Sequence, residues 1–63
     1  MTLRKLYDMI KDEMEGSQKY QRHASDFRER GYPDVAIIFE KLAETEFKHA
    51  MWLKKVYEYF GGK

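Results

Sequence analysis

The 63-residue sequence predicts an all-α fold, an antiparallel two-helix hairpin that pairs with a second copy to form a four-helix bundle. Three observations predict it. Only one stretch, Gly31-Tyr32-Pro33-Asp34, breaks the helical pattern. Apolar residues recur at steps of three and four on both sides of that break. The resulting stripes are too wide for one hairpin to cover.

Thr2 is the expected N-cap of the first helix, read over about residues 3–30. Its seam is Leu3, Leu6, Ile10, Glu13, Ser17, Tyr20, Ala24 and Phe27, an unbroken alternation of three and four steps. Gly31 can take the left-handed conformation that ends a helix. Tyr32 precedes a proline and is pushed towards an extended backbone. The turn is thus expected at 31–33. Pro33 and Asp34 suit the first turn of the second helix, read over about 34–60, where a missing N–H costs nothing and a carboxylate meets the positive end of the dipole. Its expected seam is Val35, Ile38, Leu42, Glu46, His49, Leu53, Val56 and Phe60, with one extra step of four. Phe39, Ala43, Phe47, Ala50, Met51 and Trp52 widen that stripe, and Gly61-Gly62 closes the helix. Glu15–Lys19, Asp26–Arg30 and Glu44–Lys48 are correctly ordered outer-face pairs.

Composition narrows the function. Residues 1–63 read as one domain. With no cysteine, disulfide frameworks, thiolate–zinc sites and thiol redox chemistry are excluded. Twelve basic and eleven acidic residues are interspersed, which provides no electrostatic footprint for nucleic acid. No run approaches the ~18 apolar residues of a membrane span. Residues Met1 to Asp8 lack the apolar core of a secretory signal, so the expected location is the cytoplasm. A chain this short buries only about 60% of the surface its unfolded form exposes. It therefore needs a partner chain, a metal, or both.

The informative residues are the polar ones in the seams: Glu13 in the first, Glu46 and His49 in the second. A lone helical Glu usually sits at a seam's edge and reaches water. The Glu46-x-x-His49 spacing is also weak on its own. Position strengthens both. Counted from Gly31, Glu13 lies about 27 Å along the first helix, while Glu46 and His49 lie about 22 and 27 Å along the second, at ~1.5 Å per residue. All three meet at one height, and the i, i+3 spacing puts Glu46 and His49 on one face.

A twofold axis would add a second set, making four carboxylates and two imidazoles around one cavity. Such a cluster is costly when empty, because buried charges lose hydration and like charges repel. Two divalent cations would neutralise it. Oxygen-rich ligands with some nitrogen suit iron or manganese, and carboxylates can bridge two ions ~3.5–4 Å apart. The ligand count points to redox chemistry at a metal pair.

The order Glu13, Tyr20, Gly31-Tyr32-Pro33, Glu46-x-x-His49 resembles one half of a rubrerythrin, in the ferritin-like superfamily of dinuclear carboxylate proteins. The likeness runs from about Asp8 to Leu53 and includes Ile37-Ile38-Phe39 and Ala43-Glu44. It implies a ferritin-like four-helix bundle with two iron ions shared between subunits, manganese being the other candidate. It further implies that Glu13, Glu46 and His49 are metal ligands, with Glu46 as the bridge. Tyr20 resembles the family's tyrosine that hydrogen-bonds a ligand carboxylate, core packing with its hydroxyl at the bundle edge being the other reading. The implied activity is reduction of hydrogen peroxide or dioxygen, or oxidation of ferrous iron, in oxidative-stress defence or iron handling.

The departures shape this expectation. A full rubrerythrin carries four helices, so here the site is expected only across a homodimer or higher homo-oligomer. Encapsulated ferritins share the spacings and also build their site between hairpins, but with a shorter turn. Lacking cysteine, the chain has no rubredoxin-like module, so electrons must come from an external donor or from iron itself. Gly16 stands where classical members, in one half, carry an additional Glu. His23 has no carboxylate at metal spacing, and Met9, Met14 and Met51 read as core filler rather than haem ligands. Two other readings are a metal-free dimerisation or scaffold module and an iron-oxidising cargo of a protein compartment.

Overall fold

Two helices of 27 residues each lie side by side in the computed structural model, which describes residues 1–62. α1 runs Leu3–Glu29 and α2 runs Pro33–Tyr59. The hairpin measures 46 × 16 × 14 Å, and there is no strand among the described residues. No helix among them is long and apolar enough to cross a membrane. The Thr2 hydroxyl accepts from the Lys5 backbone N–H at 3.1 Å, capping α1 as expected.

Each boundary lies one residue earlier than expected, except the start of α1. Arg30 and Phe60 are C-caps, and Pro33 itself opens α2. The α1 end is a Schellman motif: the Gly31 N–H donates to the Arg28 carbonyl at 3.2 Å and the Tyr32 N–H to the Phe27 carbonyl at 2.9 Å. Gly31 has φ 89°, the left-handed conformation that this motif demands. Rings of Phe27 and Tyr32 meet edge-on at 6.4 Å across the motif. Phe27 also stacks on Phe39 at 5.3 Å, which locks the turn end of the hairpin.

The α1 seam reads as expected. Leu6, Ser17 and Ala24 are buried, and Ile10, Glu13, Tyr20 and Phe27 are half-buried; Leu3, at the end, is exposed. The α2 seam is a correction. The face turned inward is Ala36, Phe39, Ala43, Glu46, Ala50, Leu53 and Tyr57, a strict three–four alternation that shares only Glu46 and Leu53 with the expected line. Ile38, Leu42, Val56 and Phe60 are exposed instead. The reason is size. Ala36, Ala43 and Ala50 are the three buried residues of α2, and small side chains let the helix backbones approach closely, while the larger residues flank the contact.

Ion pairs ornament the outside. Asp26–Arg30 and Glu44–Lys48 form at 3.3 Å each, whereas Glu15–Lys19 is not among the pairs. Arg28 and Glu40 bridge the two helices at 2.8 Å. Being exposed, each is worth at most about 1 kcal/mol. The chain exposes 5063 Å², against about 4300 Å² expected for a globular monomer of its mass.

Candidate metal centre

The three polar seam residues come together midway along the hairpin. One ligand atom each from Glu13, Glu46 and His49 lies within 4.8 Å of the others. Glu13 is on α1, and the other two sit one helical turn apart on α2. All three are half-buried. His49 Nδ1 and Glu13 Oε2 are 3.4 Å apart, a separation without hydrogen-bond alignment, so Glu13 Oε2 is buried and has no hydrogen-bond partner. Such an orphaned acceptor is costly in a folded protein. A cation is one group that would satisfy it.

Electrostatics agrees. The Glu46 carboxyl is held above its ordinary value of 4.5, first by the Glu13 carboxyl, to which its protonated form could donate, then by desolvation and by the Glu13 charge, with His49 opposing. Two carboxylates crowded together favour a shared proton over two charges. A divalent ion between them would relieve the same repulsion. Two oxygen donors and one imidazole nitrogen suit iron or manganese, so the residues present fit the metals expected of them.

Beside the cluster lies an open groove of about 320 Å³ lined by Met9, Glu13, His49, Trp52, Leu53 and Val56. Trp52 packs its ring 5.7 Å from the His49 imidazole and remains 60% exposed. The groove is apolar apart from the two ligand candidates. Its large side chains belong to the same unpartnered face as Leu42 and Ile38.

Tyr20 lies elsewhere within the chain. Its ring packs against Phe39 at 6.0 Å, and seven residues of helix separate it from Glu13, a rise of about 10 Å. His23 also packs on Phe39, at 5.5 Å, far from the acidic cluster. Met14 and Met51 are half-buried and Met9 is exposed.

Two contributors to the site escape a reading of the seam for charge. Ser17 is buried and donates to the Ala43 carbonyl at 2.9 Å across the hairpin. It also accepts from the Gln21 side-chain amide at 3.4 Å. The signal was available: Ser17 is a fourth non-apolar seam position, one turn beyond Glu13. Gly16 is the other, since the nearest neighbour of its open side is the Glu46 side chain.

The rubrerythrin family model matches residues 6–63. The chain belongs to the rubrerythrin family. No curated protein and no solved structure matches it. The match spans both helices and contains Glu13, Glu46 and His49, and members of the rubrerythrin family typically bind iron and act as oxidoreductases.

Proposed function

We propose that two copies of this hairpin pack through their exposed α2 faces into a ferritin-like bundle with a shared dinuclear iron site, and that the assembly reduces hydrogen peroxide or dioxygen or oxidises ferrous iron. In this reading Glu13, Glu46 and His49 of both copies hold the metals, manganese being an alternative occupant. Bound iron would supply the redox equivalents, with an external donor restoring them. The single observation that supports it most is the convergence of the three side chains around a buried, unpartnered Glu13 oxygen.

The chain's own residues would divide the work. Glu13 and Glu46 supply the negative charge that a bound cation would neutralise. His49 offers a ring nitrogen, with Trp52 against its ring limiting rotation. Met9, Leu53 and Val56 exclude water once the groove is covered. Tyr20, two turns beyond Glu13 on α1, would in the bundle hydrogen-bond a ligand carboxylate. The surface excess over a globular monomer, about 760 Å², is near the ~800 Å² that each partner buries in a standard interface. That supports a second copy as the cover.

Anaerobic ferrous iron titration, read with analytical ultracentrifugation, tests the reading. It should show two ions per dimer, a near-ultraviolet band after aerobic oxidation, and loss of both in Glu46→Ala. A parent chain that dimerises, binds no iron and matches Glu46→Ala would leave a metal-free assembly module.

A further inference from the structure

Gly16 sits in the middle of α1, where glycine is the poorest helix former short of proline. Its backbone does not require glycine: the positive-φ glycines are Gly31 and Gly61, and Gly16 is not among them. Something other than the local fold must account for it. A β-carbon placed on Gly16 would meet Glu46 Oε2 at 3.5 Å, its Cδ at 3.6 Å and its Cγ at 3.7 Å. All three nearest atoms belong to one ligand candidate. A methyl group would rest against that carboxylate in ordinary contact, and a side chain branched at its β-carbon would crowd it.

We propose that Gly16 is a positioning residue for Glu46: the notch it leaves in α1 gives the Glu46 carboxylate room to reorient when it exchanges the Glu13 side chain for a metal ion. The inference rests on the metal-site reading above and adds to it a residue that holds no metal. The flanks of the carboxylate differ in kind. One side faces Glu13 and His49, while another faces the open side of Gly16. A carboxylate confined on both flanks would keep the arrangement suited to the metal-free cluster.

The test uses the whole chain, with cobalt(II) as the probe because its visible absorption reports its ligand set. Gly16→Ala should bind within threefold of the parent, and Gly16→Val at least tenfold more weakly with a changed visible band, both remaining helical by circular dichroism. In metal-free protein, Gly16→Val should lower the melting temperature of the parent but not that of Glu46→Ala, where the carboxylate it presses on is gone. If Gly16→Val does not fold, Gly16→Ser takes its place with the same expectations at smaller size. Equal cobalt affinity and an unchanged spectrum in parent and Gly16→Val, or additive effects of the two substitutions on melting, would overturn the role of Gly16 alone. A parent that binds no cobalt or iron would overturn the metal-site reading as well, so the two failures are distinct.

Discussion

The Ser17 hydroxyl reaches across the hairpin to donate a 2.9 Å hydrogen bond to the Ala43 carbonyl. Glu13 is one turn before Ser17 on the same face of α1, and Glu46 is one turn beyond Ala43 on α2. This bond therefore ties the helix register at the level where the acidic cluster assembles. A hydrogen bond of this kind is worth about 1 kcal/mol. Ser17→Ala should lower stability by about that much in urea titration, with iron affinity reduced as the helices slip. Ser17→Val, which adds volume against the alanine stripe, should cost more, about 1–3 kcal/mol.

Metal-free protein should gain stability on mild acidification. The folded Glu46 carboxyl titrates above its unfolded value of 4.5. A raised carboxyl binds its proton more tightly in the folded state, so this contribution is fully present below pH 4.5 and is lost as pH rises through the folded value. Chelator-treated protein should melt higher near pH 5 than near pH 7 as far as this group decides, and Glu46→Gln should flatten the difference. Metal reverses the sign, because protons compete with the ion for the same ligands.

Glu13→Leu should stabilise the metal-free chain while abolishing metal binding. The substitution removes an orphaned buried oxygen and the charge that crowds Glu46, and it adds apolar contact in the groove. Replacing buried charged groups by hydrocarbon of similar volume is commonly neutral or favourable by about 1–4 kcal/mol, and this partly exposed site should fall at the low end. Thermal melts with and without a chelator check it: the parent should shift and the variant should not.

Ile38→Asp and Leu42→Asp should each abolish the proposed dimer without touching a ligand. Both side chains are exposed on the α2 face that the hairpin leaves uncovered, 58% and 40% respectively. Sedimentation should report a monomer, and iron binding should be lost although Glu13, Glu46 and His49 are intact.

Gly31→Ala should destabilise the hairpin by about 1–2 kcal/mol, the cost of forcing a side chain into the left-handed region. Nothing lies within 4 Å of a β-carbon there, so the loss is conformational. Equilibrium urea titration will give its size.

Much of the hairpin could be read from its punctuation. Gly31, Pro33 and Thr2 have backbone requirements of their own, and their structural roles follow from local chemistry. The equidistance of Glu13 and His49 from Gly31 likewise foretold their 3.4 Å approach, because rise per residue is nearly constant. The α2 seam was harder. Ile38, Leu42, Val56 and Phe60 are more hydrophobic than Ala36, Ala43 and Ala50, so a search for the oiliest line chooses the flank over the contact. Hydrophobicity shows what must be covered; it does not show by which neighbour. Contacts between helices, such as Ser17 with Ala43 or Gly16 with Glu46, depend on rotation about the helix axes, which periodicity alone leaves open.

The alanine stripe of α2 has a thermodynamic corollary. With Leu6 the one large aliphatic side chain among the buried residues, a solitary hairpin has little interior hydrocarbon to resist thermal agitation. Folding and association should then form one bimolecular event: dilution should melt the helices, and the transition temperature should climb with protein concentration.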